Sequence, residues 1–400
     1  MRIVLLAHPA FMDSQSMPRF AGMLRSAYEA RGHEVQVWAP PARLRAWIQR
    51  GALSKWAGYV DQYLLFAWWL RGAVAREPAD TLFVLTDQAQ GPWAPRLQDR
   101  PHVVHVHDLL ALRSALGEIP QNPTRFTGRL YQRFIRHGYQ HARHFICISQ
   151  RTREDLLRLS RLQATTCEVV HNGMNHPYEP MTAEAATGIL EAAGHPVPGP
   201  GMLLHVSGGS WYKNVQGVLR LYAQHVLRHS QPLPLWLVGV PQSPAIRQAV
   251  HALPPTAQVR FLYNLDNTAL QAAYSLAQAL LFPSLAEGFG WPIIEAQACG
   301  CPVITTDDAP MNEIGGPESR YLPLLNASDD IDAWAAHGAQ VLQTLMDVPA
   351  GERRRRAAAC VAWSRRFEAS KAIDQYLRIY ARLLSDTATP AAAMPTPERR

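Results

Sequence analysis

Short apolar runs rich in β-branched residues alternate with helical patterns along most of this chain, and this alternation restricts the fold more than any other feature. In the first half, the segments that read as strands are residues 3–6, 35–38, 81–85, 102–105, 144–148 and 167–170. Because parallel strands need long crossover connections, alternation of strands and helices predicts a parallel sheet flanked by helices.

The pattern then starts again after a segment rich in proline and glycine at residues 194–202. The later strand candidates are residues 203–206, 235–238, 259–262, 279–282 and 302–305. We therefore predict an α/β protein made of two doubly wound, Rossmann-like domains that face a cleft. The predicted divisions are an N-terminal domain at 1–180, a C-terminal domain at 181–367, a helix at 368–385 that returns to the N-terminal domain, and a disordered tail at 386–400.

The composition excludes several classes of protein. Hydrophobic residues make up 48% of the chain and charged residues 18%, which indicates a buried globular core. No apolar run is long enough for a spanning helix, and the first eight residues turn polar too early for a signal peptide, so we expect a cytoplasmic protein. Five cysteines without C-x-x-C spacing indicate neither a disulfide framework nor a zinc site.

The net charge of +7 is compatible with anionic substrates or an anionic membrane surface. No basic run interleaved with aromatic residues stands out as a nucleic-acid site, so a nucleic-acid partner is not expected. A dehydrogenase is disfavoured, because the first strand is followed by His8 and Pro9 and not by a G-x-G-x-x-G turn.

The most informative segment lies at residues 282–304, where a strand leads into a glycine-rich turn and then into a helix opened by Pro292. Glycines at 288 and 290 allow a ligand to approach the backbone closely, and the helix N-terminus favours an anion or a ring of hydroxyls. Glu287 precedes the turn and Glu295 lies on the helix. We expect one carboxylate to face a sugar and the other a nucleoside.

This segment resembles the signature of the retaining family-4 glycosyltransferases, which have the GT-B fold: E-G-F-G-x-P-x-x-E, then small residues and G-x-P-V-I. The resemblance implies that the first glutamate and the amides after it contact the donor sugar, while the second glutamate binds the ribose. The donor-site residues that it implies in this segment are Glu287, Gly288, Phe289, Gly290, Trp291 and Glu295.

A second part of the resemblance covers residues 205–214, which match the first strand of the family's donor domain and the turn after it. The implied ligand-binding residues here are Gly208, Gly209, Lys213 and Asn214, with Lys213 on the donor diphosphate. Many family members carry an arginine in this turn, where Ser210 and Trp211 stand in the present chain.

In the N-terminal half, residues 104–108 resemble the family's strand end that carries a histidine at the cleft, which makes His107 a candidate catalytic residue beside Glu287 and Lys213. A single histidine is also common as a structural residue. Ser149 and Asn172 lie at later strand ends that match the family and are expected near the cleft.

The resemblance implies transfer of a mannose-type or glucose-type hexose from a nucleotide sugar to a glycan or lipid-linked acceptor, with retention at the anomeric carbon. It implies no cofactor and no metal, since Lys213 and backbone amides would meet the charge of the leaving group. The alternatives are a nucleotide-sugar epimerase or a sugar phosphorylase of similar fold, and an inactive subunit that binds a nucleotide sugar.

Residues 43–70 suggest where an acceptor enters. They contain four tryptophans, at 47, 56, 68 and 69, interleaved with arginines and a lysine. That composition suits an interfacial helix on anionic lipid, and hence a peripheral protein at the inner face of the membrane. A buried pair of helices explains the same segment, because residues 64–70 are almost wholly apolar.

Overall fold

The computed structural model describes residues 1–11, 16–48, 50–162, 164–197, 199 and 201–388. Within these residues the chain forms two six-stranded sheets in which all paired strands are parallel. The first sheet has the order β2-β1-β3-β4-β5-β6. Its strands are β1 (Arg2–Leu6), β2 (Glu34–Trp38), β3 (Leu82–Leu85), β4 (His102–Val106), β5 (His144–Cys147) and β6 (Thr166–Val169).

The second sheet has the order β12-β11-β10-β7-β8-β9. Its strands are β7 (Met202–Val206), β8 (Leu235–Val238), β9 (Val259–Leu262), β10 (Ala277–Phe282), β11 (Val303–Thr306) and β12 (Arg320–Leu322). In each sheet the order reverses beside the first strand of the series, and open α/β sheets bind their ligands at the carboxyl ends of the strands near such a reversal.

Helices cover both faces of each sheet. In the N-terminal part they are α1 (Ser16–Glu29), α2 (Leu44–Trp47), α3 (Ala52–Val60), α4 (Phe66–Arg76), α5 (Leu110–Ala115), α6 (Phe126–Tyr139) and α7 (Gln150–Ser160). In the C-terminal part they are α8 (Ala183–Ala192), α9 (Val215–Val226), α10 (Pro244–His251), α11 (Asn267–Leu276), α12 (Trp291–Ala298), α13 (Met311–Gly315), α14 (Ile331–Met346), α15 (Ala350–Ser364) and α16 (Ala369–Ala388). A π-helical turn (Asp61–Leu65) joins α3 to α4, and 3₁₀ helices lie at Gln88–Arg96, Trp211–Lys213 and Arg365–Phe367.

The core of each domain is built from strands that are buried on both faces, as expected of a parallel sheet covered by helices. In the first sheet β1, β3 and β4 are almost entirely buried, and in the second sheet β8, β10 and β11 are. The N-terminal sheet therefore has one apolar layer beneath α4 and α6 and another beneath α1 and α16.

The last helix belongs to the N-terminal layer although it follows the C-terminal domain in sequence. Its residues Ile373, Tyr376 and Tyr380 pack with Ile3 and Val103 of the first sheet. The chain crosses between the domains twice, once between β6 and α8 and once after the 3₁₀ helix that precedes α16. The predicted GT-B architecture is confirmed, including the C-terminal helix that packs back.

The predicted tail begins at residue 386, whereas α16 continues to Ala388. The rest of that predicted tail, residues 389–400, lies outside the described residues.

Candidate active site

The two domains touch where the strand ends of the first sheet meet the turn after β10. Ser149, directly after β5, donates from its hydroxyl to the carbonyl oxygen of Gly288 at 3.0 Å. A Cβ atom at position 288 would lie only 2.5 Å from the carbonyl oxygen of His107, which follows β4. Position 288 thus admits no side chain, and the glycine lets the cleft close to backbone contact.

On the donor side, Lys213 and Glu287 form an ion pair with 2.7 Å between Nζ and Oε1. Lys213 comes from the loop after β7, and Glu287 from the loop after β10, the neighbouring strand. Both side chains are largely buried, and the Lys213 ammonium also lies 4.8 Å from the ring centroid of Phe282. The structure therefore brings together two of the three predicted catalytic residues.

Glu295 lies on α12 and is buried beside Tyr274, whose hydroxyl donates to Oε2 at 3.0 Å. Burial raises the pKa of Glu295 to about 7, against the opposing effects of the Tyr274 hydrogen bond and the Lys213 charge. The two glutamates thus differ in surroundings: Glu287 faces an ammonium group, and Glu295 faces a phenol. The expectation that one carboxylate faces a sugar and the other a nucleoside stays a prediction.

The turn between the two glutamates offers backbone donors. Within the described part of the chain, the N–H groups of Gly288, Phe289 and Gly290 make no hydrogen bond to protein. They lie immediately before the first turn of α12, where the helix dipole favours a negative charge. The Phe289 side chain is buried against Phe367 and Trp291, so Phe289 can offer a ligand its amide but not its ring.

Trp291 contacts the connection between the domains. Its indole N–H donates to the carbonyl oxygen of Gly173 at 3.2 Å, in the segment that follows β6. The ring therefore links α12 to the crossover, and the donor contact expected of Trp291 stays a prediction.

The loop after β7 is fixed to the loop after β10 by two hydrogen bonds. Asn214 donates from Nδ2 to the carbonyl oxygen of Pro283 at 3.0 Å, and the Leu285 amide donates to the carbonyl oxygen of Tyr212 at 2.7 Å. Asn214 also accepts from the Gly217 amide and so caps α9. Its side chain thus positions Lys213 and is itself engaged within the fold.

The glycines of this loop differ in their surroundings. Gly209 has a φ of 73°, and a Cβ atom there would lie 2.2 Å from Cδ of Pro241, so the turn requires glycine. Gly208 is exposed and faces open space. A ligand can therefore approach the backbone at Gly208, next to the Lys213 loop.

His107 follows β4, with its backbone carbonyl against position 288 and its ring packed edge-to-face on Phe20. Its Nε2 lies 2.9 Å from the carbonyl oxygen of Thr86, which can only accept, so Nε2 carries the proton. Burial lowers the pKa of His107, which keeps the ring neutral and leaves an acceptor lone pair on Nδ1. That atom is buried and makes no hydrogen bond within the described residues. Among the described residues, the Nδ1 lone pair is therefore an unused acceptor that is enclosed by protein.

The structure also shows a pair that sequence reasoning missed. His8, after β1, contacts Asp87, after β3, with 3.0 Å between Nε2 and Oδ2. Burial favours the neutral acid, but the hydrogen bond from His8 and nearby histidine charge hold the pKa of Asp87 below its usual value. Nδ1 of His8 is buried and, among the described residues, unpartnered. It is a second buried imidazole nitrogen without a partner in the described chain, at the strand ends of the first sheet.

Asp108 connects this pair to the donor side electrostatically. Burial raises the pKa of Asp108 to about 6, and the negative charges of Asp87 and Glu287 act in the same direction. Its backbone carbonyl accepts from Gln88 at 2.7 Å, and the Gln88 side chain also accepts from the His107 amide at 3.0 Å. Gln88 thus links the loops after β3 and β4, and Asp108 lies within electrostatic reach of Glu287 in the other domain.

The raised pKa of Glu295 predicts a measurable pH dependence of stability. Its ordinary value is 4.5 and its value in the fold is about 7, so the folded state holds the proton more tightly than the unfolded state. Stability is therefore lost as the pH rises through this window, by up to about 3 kcal/mol. We expect Glu295→Gln to remove that loss, so that the variant gains stability over the wild type between pH 5 and pH 8.

Urea unfolding of both proteins at the two pH values measures this difference. The exposed Glu154→Gln variant is the matched control and should follow the wild type. Equal pH dependence in the wild type and Glu295→Gln would show that another group causes the loss.

Two family models match the chain, one in each domain. The model described as Glycosyltransferase Family 4 matches residues 17–176, and the model described as Glycosyl transferases group 1 matches residues 191–345. The second match contains the Lys213 loop, both glutamates and α12.

Curated relatives include two bacterial mannosyltransferases. The O-antigen chain mannosyltransferase B of Escherichia coli is 24% identical over 221 residues, which cover 55% of this chain and 56% of the relative. The O-antigen chain mannosyltransferase RfbU of Salmonella typhimurium is 25% identical over 194 residues, covering 48% and 50%. The matched region thus spans about half the length of each relative.

Solved structures show the same fold over nearly the whole chain. Anabaena HepE, crystallised in complex with UDP and glucose, superposes with a TM-score of 0.68 at 17% identity. The superposition covers 96% of this chain and 100% of that protein.

Proposed function

The chain belongs to the family-4 glycosyltransferases of the GT-B fold, and we propose that it transfers a hexose from a nucleoside diphosphate sugar to an acceptor hydroxyl with retention at the anomeric carbon. The hexose is of the mannose or glucose type. The acceptor is a glycan or a lipid-linked saccharide in polysaccharide or glycoconjugate biosynthesis. The names of the relatives, which build O-antigen chains, support this acceptor class.

One observation carries the proposal: Lys213, Glu287 and the free amides before α12 converge at the point where Gly288 meets His107. A diphosphate placed there would have the Lys213 ammonium and the amides of Gly288 and Phe289 beside its oxygens. The sugar would lie against Glu287, near the point where the His107 carbonyl oxygen meets position 288. Ribose hydroxyls would donate to Glu295, whose second partner is Tyr274.

In the proposed reaction the acceptor oxygen forms a bond to the anomeric carbon on the face from which the diphosphate departs. The bond between that carbon and the phosphate oxygen breaks, and the acceptor proton passes to the leaving phosphate. The protein positions both reactants and stabilises the charge that grows on the phosphate. Lys213 and the amides before α12 supply this stabilisation without a cofactor.

We place the reaction in the cytoplasm, at the inner face of the membrane, where a lipid-linked acceptor is within reach of a peripheral enzyme. A nucleotide-sugar epimerase or an inactive binding subunit would use the same donor groups. Turnover separates these alternatives, because only a transferase moves the sugar to an acceptor. His8, Asp87 and His107 lie at the strand ends of the first sheet, where the His107 carbonyl oxygen meets position 288, and the acceptor hydroxyl would enter on this side.

The decisive experiment is a screen of GDP-mannose, UDP-glucose and related donors with calorimetry for binding and chromatography for turnover. We expect one donor to be bound and slowly hydrolysed even without acceptor. Proton NMR of the freshly released sugar should show the same anomeric configuration as the donor. Binding without any hydrolysis or transfer would contradict the proposal in favour of an inactive subunit, and an epimerised sugar would favour the epimerase.

Metal independence gives a separate prediction. Because Lys213 and the amides before α12 occupy the place of a cation in the proposed reaction, EDTA should leave turnover within about twofold of its value with Mg²⁺. The measurement is initial rate in EDTA-treated buffer against the same buffer with Mg²⁺ or Mn²⁺ restored. A strict requirement for either ion would contradict this part of the mechanism.

A further inference from the structure

Large apolar side chains stand in solvent on the segment that carries the tryptophans. Trp47 of α2 is 89% exposed and Trp68 of α4 is 81% exposed. Trp56 and Leu64 are also exposed, and Trp56, Leu64 and Trp68 recur at multiples of four residues along α3, the π-helical turn and α4. Residues four apart share one side of a helix, so these side chains form one stripe. The opposite side, including Phe66 and Leu70, is buried in the core.

Helix α6 carries a second stripe of the same kind. Phe126, Leu130 and Phe134 are exposed at intervals of four residues, while Ile135 and Tyr139 face the core. Phe126 is 76% exposed, which is unusual for so large an apolar side chain. The sequence analysis did not single out this helix.

Aromatic contacts join the two stripes into one surface. Tyr59 of α3 stacks on Tyr131 of α6 with 5.2 Å between ring centroids, and Tyr63 contacts Phe134 at 5.3 Å. The Tyr63 and Tyr131 hydroxyls are 2.6 Å apart. We call the surface formed by the described exposed side chains of α2, α3, α4 and α6, together with Arg43, Arg50 and Arg125, the tryptophan–arginine surface.

The charge on this surface has one sign. Residues 43–76 contain six basic residues and a single acidic one, and residues 125–136 contain four arginines and no acid. The one acid, Asp61, is buried, where it accepts from the backbone amides of Arg43, Leu44 and Arg45. It therefore anchors α2, which carries Trp47, and adds no negative charge outside.

We propose that the tryptophan–arginine surface docks on an anionic lipid bilayer, with the tryptophans, leucines and phenylalanines in the interfacial region and the arginines on the lipid headgroups. Exposed apolar stripes flanked by cations of one sign are the pattern of helices that lie in the plane of a bilayer. No described helix is both long enough and apolar enough to cross the bilayer, so the contact is peripheral.

The tryptophan–arginine surface is also joined by a hydrogen bond to the segment on the acceptor side of the cleft. Trp93, in the 3₁₀ helix that Asp87 caps, donates from its indole to the carbonyl oxygen of Gln62 at 3.0 Å. A docked surface would therefore hold the His8 and Asp87 pair at a fixed distance from the membrane. The delivery of a lipid-linked acceptor to that pair rests on the proposed function. The docking of the surface on a bilayer does not depend on that function.

The test is co-sedimentation of the full chain with vesicles of phosphatidylcholine alone or with about a third phosphatidylglycerol. We expect binding to the anionic vesicles, little binding to the neutral ones, and release as the salt concentration rises. Quenching of tryptophan fluorescence by brominated lipid should accompany binding.

Two variants examine the two components of the surface. Arg125→Gln, Arg129→Gln and Arg133→Gln together should weaken binding to anionic vesicles by about a hundredfold, because each cation near the surface contributes about a factor of five. The matched control removes three exposed arginines of the other domain, Arg228, Arg247 and Arg354, with the same change in net charge.

For the apolar component, Leu64→Ser is compared with Leu227→Ser. The two leucines are 64% and 68% exposed, and Leu227 lies at the end of α9 in the donor domain. Leu64→Ser should weaken vesicle binding severalfold and Leu227→Ser should not. Trp56→Ala with Trp68→Ala should reduce the quenching by brominated lipid.

Several outcomes would overturn the proposal: no sedimentation at low salt, equal binding to neutral vesicles, or equal loss in the surface variants and their controls. So would a dimer in solution whose dissociation follows the same substitutions, because a second copy would then cover the surface. Donor hydrolysis without vesicles reports separately on the proposed enzyme and should be unchanged in every variant, so the two proposals fail independently.

Discussion

Lys213→Ala is expected to lower kcat/KM by about thirtyfold to a thousandfold, equivalent to about 2–4 kcal/mol of transition-state stabilisation. The ammonium group lies 2.7 Å from Glu287, the residue that precedes the free amides of the turn before α12. Among the described lysine and arginine side chains, Lys213 is the one that the structure places directly beside a motif glutamate. Its loss would leave the growing phosphate charge to backbone donors alone.

Two arginines of the donor domain are weaker candidates for the same task. Arg260 donates to the carbonyl oxygens of Gly194 and Pro196 and lies over the ring of Trp236. Arg220 is exposed and paired with Asp332. Both guanidinium groups already serve the fold. Lys213→Arg should recover part of the activity, because a planar fork fits a site shaped for a compact ammonium poorly.

Because Lys213 is paired with Glu287, a loss of activity in Lys213→Ala has a second explanation, and the experiment must distinguish it from a lost contact with the diphosphate. Removing Lys213 also leaves a buried carboxylate without its counter-ion, which is costly by itself. Glu287→Gln and the double variant Lys213→Ala with Glu287→Gln complete a cycle. If Lys213 acts on the diphosphate, the double variant should be much slower than Glu287→Gln alone. If it matches Glu287→Gln, then Lys213 serves only to neutralise Glu287.

The fold could be predicted because its signals are local. Each buried strand is a short apolar run, and each domain repeats the alternation of strand and helix. Glu287 and Glu295 could be proposed as a pair for a similar reason. They are eight positions apart in the sequence, with one before the glycine turn and the other on the helix that follows it.

The acceptor side was harder to predict because its contacts join distant segments. His8 and Asp87 are 79 residues apart and meet only because β3 pairs with β1, an order that the sequence pattern does not specify. Nothing in either residue's neighbourhood distinguishes it from a polar group at a strand end. The available signal was position: both follow buried strands directly, where parallel sheets collect their functional side chains.

Residues 43–70 show a different limit. The periodicity of their apolar residues identifies two sides of a helix, but each side is apolar enough for a core. Only the three-dimensional arrangement shows that Phe66 and Leu70 fill the core while Leu64 and Trp68 remain outside it. The exposed stripe on α6 escaped attention because three apolar residues at intervals of four look like an ordinary buried face.

The second large effect is expected from the two glutamates, which should fail in different ways. At pH 8, where the Glu295 carboxyl is mostly ionised, Glu295→Ala should weaken the binding of free nucleoside diphosphate by about 1.5–3 kcal/mol, because ribose hydroxyls lose a charged acceptor. Glu287→Ala should leave that affinity nearly unchanged and lower turnover of the nucleotide sugar, because its proposed partners are the sugar hydroxyls. Calorimetry with the free nucleotide and initial rates with the nucleotide sugar measure the two quantities.

The surroundings of each residue supply the reason for this difference and the controls for it. Glu295 is buried on α12 with Tyr274, so Tyr274→Phe, which removes the phenol donor but keeps the ring, should alter nucleotide affinity in the same assay. Glu287 is paired with Lys213, so Glu287→Ala frees the ammonium to bind phosphate and can even tighten the free nucleotide slightly. Equal losses of nucleotide affinity in the two glutamate variants would refute the division of roles. Such equal losses would mean that both carboxylates act through a shared effect on the turn at Gly288, where the domains meet.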